Sequence, residues 1–350
     1  MLFKTIALYI TLLSSIVEAS PKHQQHQHGK QIEGKNVSSL FKRGSSCKFP
    51  TDKGLVAVQK NGKNGGWAMH NDQECTSGSW CPYACPPGQL MGQWDPDVKT
   101  YSYPGSQNGG IWCNDDGEIE EKRQGSYCVS GAGTVSANNK VGENVAFCQT
   151  VLPGNEEMLI PTNVDGNSKR TLAVPGSDYW AGTAAHFYIN PPGVSVDDGC
   201  KWGSKDKPQG NWAPYVAGAN QNDNKDTFVK IGWNPIYLEQ DTPFRNEKPE
   251  FGIRIKCDDD SSCSGGPCEI DPSKDGVNGV NNGKSKRSTS GAGGADFCVV
   301  TAKNGAKASI EVFKTGGGGS SSNKKRHEHA GHQGNKVTTT ETVFQTVTVN

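Results

Sequence analysis

The chain of 350 residues carries 36 Lys and Arg against 36 Asp and Glu, so its formal net charge is zero. That balance, with both signs mixed along the chain, excludes the basic footprint of a nucleic-acid binder and the basic face of a membrane-surface protein, and it favours a neutral partner such as a polysaccharide. With 44 Gly, 19 Pro and 33 % hydrophobic residues, the composition predicts a turn-rich chain poor in long helices.

The first element is a secretory signal peptide over residues 1–19. Lys4 precedes a charge-free apolar run from Ile6 to Val17, and Val17-Glu18-Ala19 forms a small-residue cleavage site. That run is shorter than the roughly 20 residues that cross a bilayer, and no later segment is long enough, so no membrane anchor is expected. Residues 20–43 are polar and read as a pro-segment ending at the dibasic pair Lys42-Arg43. The glycosylation sequon at Asn36 falls inside it, and His23, His26 and His28 read as a solvated tract.

A secretory route decides how the cysteines are read. All twelve lie beyond the signal: Cys47, Cys75, Cys81, Cys85, Cys113, Cys128, Cys148, Cys200, Cys257, Cys263, Cys268 and Cys298. An even number in an oxidising compartment predicts disulfides, with the connectivity left open. The gaps around Cys81 do not match the Cys-x2-Cys pairs of zinc sites, so neither a metal nor another cofactor is expected.

Between Cys47 and Phe313 the segments HFYIN, TFVKIGW, FGIRIKC, DFCVVTA and ASIEVF are rich in β-branched and aromatic residues and read as strands. FGIRIKC alternates Phe251, Ile253 and Ile255 against Arg254 and Lys256, the pattern of a half-buried strand. The predicted class is all-β: one disulfide-stapled antiparallel β-sandwich over residues 44–315, of which a thaumatin-like arrangement is one form, with long Gly/Asn-rich loops. Residues 270–294 are expected to form a long mobile loop, and 316–350 a flexible Gly/Ser/His tail with a Thr/Val-rich end.

No nucleophile elbow, zinc-protease motif, phosphate loop or dinucleotide fingerprint occurs. His70 and His186 stand alone among aromatic or small residues and read as structural; His327, His329 and His332 lie in the tail. What the sequence offers is aromatics interleaved with acids. Residues 178–215 hold Trp180, Trp202, Trp212 and Tyr215 beside Asp178 and Asp198, and Trp94 stands next to Asp95 after the cysteine knot. Flat rings cover the apolar faces of sugars while carboxylates and amides take their hydroxyls. Glycoside hydrolysis further needs two carboxyl groups flanking the bond. The same rings also suit a core packed against disulfides.

The stretch ECTSGSWCPYACPPG resembles the cysteine signature of the fungal SUN family of secreted cell-wall proteins. GGIWCNDDG, HFYINPPGVSVDDGCKWGS, GNWAPYVAGAN and FCVVTAKNGAKASIEVF extend the resemblance over residues 46–314. The family's Ser/Thr-rich stalk is replaced by a short His/Gln-rich segment, which marks a divergent branch. The resemblance implies a β-glucosidase-like protein that hydrolyses or binds β-1,3-glucan, or another wall polysaccharide, in wall remodelling, septation and cell separation. Asp178, Asp198 and Asp95 are then the candidate catalytic acids, and Trp180, Trp202, Trp212, Tyr215 and Trp94 the candidate sugar contacts. Two non-catalytic alternatives remain, a glucan-binding wall protein and a thaumatin-like secreted effector.

The two processing sites predict a secreted species that begins near Gly44 and lacks Asn36. N-terminal sequencing that finds His23 to His28 still attached would refute this maturation.

Overall fold

The computed structural model describes residues 45–99, 109–151, 159–283 and 289–316. The signal segment, the pro-segment with Asn36, Lys42 and Arg43, and the tail after Gly316 lie outside them. The chain first forms β1 (Ser79–Cys81), β2 (Gln89–Met91), β3 (Ile111–Cys113), β4 (Ile119–Glu120) and β5 (Cys128–Ser130). Next come β6 (Val135–Asn139), β7 (Val145–Thr150), β8 (Leu159–Val164), β9 (Lys169–Thr171) and β10 (Ala185–Ile189). A single helical turn, α1 (Val196–Gly199), precedes β11 (Tyr215–Gln221), β12 (Thr227–Trp233) and β13 (Phe251–Cys257). The rest is β14 (Cys263–Ser264), β15 (Glu269–Ile270), a second helical turn α2 (Pro272–Asp275), β16 (Thr289–Ser290), β17 (Asp296–Ala302) and β18 (Ala308–Lys314).

These strands make a sandwich. One sheet runs β14-β17-β12-β11-β10-β7-β8, with β16 added on β17; the other runs β15-β13-β18-β6-β9. The pairing is antiparallel except for β6 against β18, which is parallel. The inward residues of both sheets form one core, with Phe147, Phe187, Ile231 and Trp233 from the first and Ile253, Ile310 and Val312 from the second. Alternation explains which residues point in. In β13, Phe251, Ile253 and Ile255 are buried while Arg254 is half-buried and Lys256 exposed, because successive side chains leave a strand on opposite faces.

The N-terminal strands form two small sheets, β1-β3-β4 and β2-β5, over a second core of Trp67, Tyr83, Ile111 and several cysteines. Gly110, just before β3, lets that strand lie close against β1. Its φ is +115° and a Cβ there would sit 2.0 Å from the Cys81 carbonyl oxygen, a position that only glycine tolerates.

All five segments read as strands are strands. Of the stretch 270–294, expected as a mobile loop, the described part is held in place. Ile270 ends β15, α2 follows, and Asn278 donates to Gly294 O at 2.9 Å and accepts from Asp296 N at 2.8 Å. Short polar side chains bonded to nearby backbone order a segment whose composition reads as loose.

The twelve cysteines form six disulfides: Cys47–Cys113, Cys75–Cys81, Cys85–Cys128, Cys148–Cys200, Cys257–Cys263 and Cys268–Cys298. Cys298 lies in β17 and Cys268 just before β15, so this bridge links the two sheets. Cys148–Cys200 ties the end of α1 to β7.

Loop entropy predicts unequal worth. Removing Cys47–Cys113, with a sequence separation of 66, costs about 4 kcal/mol, and removing Cys75–Cys81, with a separation of 6, about 2 kcal/mol. Urea unfolding of C47A/C113A and C75A/C81A proteins should therefore rank the first pair as the more destabilising; the reverse order would contradict this.

Candidate functional site

Two of the segments singled out in sequence meet in space. The Trp94 ring packs edge-on against Tyr179 at 5.1 Å between centroids. Tyr179 donates its hydroxyl to Met91 O at 2.7 Å, and Trp180 donates its indole N–H to Val98 O at 3.0 Å. Burial holds the Tyr179 phenol well above its ordinary pKa, so it remains a donor. The Arg123 guanidinium lies 4.0 Å from the centre of the Trp94 ring and donates to Gly92 O at 2.8 Å, a stacked cation over an indole. Beside it, Gln93 donates to Gly125 O at 3.2 Å, yet its buried Oε1 has no hydrogen-bond partner. Asp95 and Asp178 adjoin the two touching rings in sequence, on one side each.

The expected sugar contacts divide. Tyr215 is fully buried, in edge contact with Trp233 and Phe251 at 5.0 Å each, and its hydroxyl donates to Phe251 O at 2.8 Å. Its expectation as a glucan contact is corrected: it opens β11 facing inward, and a ring enclosed on all sides offers no face to a polymer. Trp94 and Trp180 are also largely enclosed, at 8 % and 5 % exposure. Trp202 and Trp212 are half-buried, and Trp212 packs against the main core.

The acids differ in what holds them. Asp198 is exposed and sits in α1, where Ser195 Oγ accepts from Asp198 N at 3.1 Å and donates to its carboxylate at 3.0 Å. Lys201 lies 3.6 Å from the same carboxylate. This reciprocal bonding is a helix-start cap. The half-buried Asp95 accepts from Asp97 N at 3.0 Å, closing a turn over Pro96. Asp178 is exposed at the start of its segment.

A further group of carboxylates lies on the outer face of the five-stranded sheet, where register lines up Glu269, Arg254, Glu311, Asn138 and Lys169 in one row. Arg254 binds Glu311 Oε1 through Nε at 2.8 Å and also through Nη2, and reaches Glu269 Oε2 at 3.4 Å. Asn138 donates to the other oxygen of Glu311 at 3.2 Å, and Lys274 to the other oxygen of Glu269 at 3.3 Å. Desolvation alone lowers the Arg254 pKa, but hydrogen bonds and charge from Glu311 and Glu269 outweigh it and raise it. Every oxygen of both carboxylates is engaged, which suits a structural network and not an acid–base pair.

Two residues passed over in sequence, Trp80 and Trp112, stand opposite each other on β1 and β3 and are half-buried. Their rings lie 5.2 Å apart at a 60° tilt. The available signal was the repeated Trp-Cys pair: in a strand whose Cys points inward, the preceding Trp must point outward.

The family described as "Beta-glucosidase (SUN family)" matches residues 42–300. This chain belongs to the SUN family. The SUN-family chain is 57 % identical over 344 residues to uncharacterised protein YMR244W of Saccharomyces cerevisiae, covering 98 % of itself and 95 % of that relative. It is 52 % identical to the "Probable secreted beta-glucosidase adg3" of Schizosaccharomyces pombe, covering 83 % of itself and 26 % of that much longer protein. With the "Probable secreted beta-glucosidase UTH1" of Saccharomyces cerevisiae it shares 34 % identity, over 77 % of itself and 70 % of the relative. Among solved structures, the thaumatin-like xylanase inhibitor TLXI aligns at 9 % identity with a TM-score of 0.29, over 51 % of this chain and 98 % of the inhibitor.

His186 occupies the outer face of the larger sheet, with only Gly218 between it and Lys230 across the strands. Burial, and then the charge of Lys230, lower its pKa from 6.5 to about 4. A base whose folded-state pKa is depressed stabilises the fold above its unfolded pKa, and the contribution is lost as pH falls through 6.5 towards 4. Stability should drop by up to about 3 kcal/mol across that window. In a His186→Gln protein the slope of unfolding free energy against pH between 7 and 4 should flatten; an unchanged slope would assign it elsewhere.

Proposed function

We propose that this protein is a secreted cell-wall protein that acts on β-glucan, hydrolysing β-1,3-linkages in wall remodelling, septation and cell separation. Family membership, relatives named as secreted β-glucosidases and the signal-like first 19 residues support this reading. The observation that carries the choice of site is the contact between Trp94 and Tyr179, which brings together the segments bearing Asp95 and Asp178. The buried Gln93 Oε1 nearby is an acceptor without a donor. Such an atom costs about 1–3 kcal/mol when unpaired, and being enclosed it is a feature of the fold beneath the junction and not a contact for a polymer.

In this reading one of Asp95 and Asp178 protonates the glycosidic oxygen. The other activates water or attacks the anomeric carbon, according to whether the carboxyl groups stand nearer about 9.5 or about 5 Å apart once substrate is bound. Arg123 holds the Trp94 ring and the Gly92 carbonyl, and so steadies the segment that bears Asp95. Asp198, committed to its cap and to Lys201, is the least suited of the three candidates.

A second reading, non-catalytic binding of wall glucan, is favoured by the engagement of so many carboxylates in local bonds. Reducing-end release from laminarin and retention on insoluble β-1,3-glucan separate the two. Asp178→Asn and Asp95→Asn should each cut release by about 10²–10⁴-fold and leave retention intact. Full hydrolysis by both variants would remove these acids from the site. A wild-type protein that is retained but releases nothing would establish the second reading.

A further inference from the structure

We infer that Trp80 and Trp112 form a second polysaccharide-binding face, separate from the acid-bearing junction, which takes a neutral β-1,3-linked glucan chain. The inference rests on the wall-glucan reading above and adds a site to it. Register sets Trp80 opposite Trp112, and Trp112 opposite Glu120 on β4, so the three side chains occupy one row on the same face of the small sheet. Their strand neighbours Cys81, Ile111 and Cys113 are essentially fully buried on the other face. Behind the row, Cys81 is bonded to Cys75 and Cys113 to Cys47. A one-residue slip would turn the tryptophans inward and the cysteines outward, and both disulfides forbid it. The face on which the rings stand is therefore set before any ligand arrives, which lowers the ordering cost of binding.

Two observations define the occupant. The first is charge: Glu120, at the end of the row, is paired with Lys122 at 2.6 Å. The row thus carries aromatic surface and no unpaired cation. Single-stranded nucleic acid, which also stacks on aromatics, requires a positively charged groove beside them. A neutral sugar polymer requires only flat rings for its C–H faces and polar groups at the rim, and Glu120 with Lys122 supplies the rim. The second observation is shape. At a 60° tilt the two indoles form a bent platform. Adjacent sugars that meet both rings must present faces at an angle to one another, as in the turning chain of a β-1,3-glucan. The flat ribbon of a β-1,4-linked chain keeps its faces parallel and meets one ring at a time.

Retention of the purified mature protein on insoluble β-1,3-glucan and on cellulose, together with hydrolysis of short soluble β-1,3-oligosaccharides, tests this. Trp80→Ala/Trp112→Ala should weaken retention on β-1,3-glucan at least tenfold, with oligosaccharide hydrolysis by the folded variant unchanged. Trp80→Phe/Trp112→Phe, which keeps a ring at each position, should restore most of the retention even if the alanine protein folds poorly. Wild-type-like retention by a folded alanine variant would overturn the second face while leaving the wall-glucan reading intact. A wild-type protein retained on neither polymer would overturn the second face, and one that also leaves the oligosaccharides intact would overturn both. Tighter wild-type retention on cellulose than on β-1,3-glucan would overturn the bent-chain assignment.

Discussion

A cysteine committed to a buried disulfide fixes more than one bond. In a strand it fixes which face every neighbour takes, because side chains alternate with a period of two. The N-terminal sheets depend on that constraint. Their strands are two or three residues long, well below the usual length, and a two-stranded pair of that size is at best marginal alone. Cys47–Cys113, Cys75–Cys81 and Cys85–Cys128 gather these pieces around Trp67 and Tyr83. The same sulfurs that close the core hold Trp80 and Trp112 outward. Stability and surface display are here two results of one set of bonds.

The sandwich rests on different physics. Its seven-residue strands alternate apolar and polar residues, and the buried half interdigitates across the two sheets. That pattern is written locally, so β12, β13, β17 and β18 were legible in the sequence. β11 was harder to read. YVAGANQ carries small residues where a strand reader looks for branched ones, yet Tyr215, Ala217 and Ala219 face inward and the small side chains fit between neighbouring strands. Missing that alternation is also why Tyr215 was expected at a sugar site: its identity invites a surface role, and its register denies it. Disulfide connectivity was not legible at all, since it depends on which segments the fold brings together.

The candidate site was legible in part, for the same reason. Trp94-Asp95 and Asp178-Tyr179-Trp180 were each visible as aromatic–acid segments, but their contact is tertiary. Asp198 shows the opposite case. Ser195-Val196-Asp197-Asp198 is a helix-start signature on its face, and the structure uses it as one. An acid beside aromatics and an acid in a cap look alike in composition. They differ in whether a local donor already claims the carboxylate.

That distinction applies to the whole molecule. Glu311 and Glu269 share Arg254, and each spends both oxygens on Arg254, Asn138 or Lys274. A carboxylate so engaged is costly to redirect, because a donor would be stranded on a half-buried surface. Chemistry and recognition need groups whose capacity the fold has left open. Along the Trp94–Tyr179 junction the exposed Asp178 is the candidate for such a group. On the small sheet it is the pair of tilted indoles, held out by the sulfurs behind them. The two lie on different elements, one fixed by aromatic packing and the other by disulfides. An alteration to the binding face therefore need not disturb the acids. A polymer-acting protein built this way can hold a long chain at one place and present its acids to it at another.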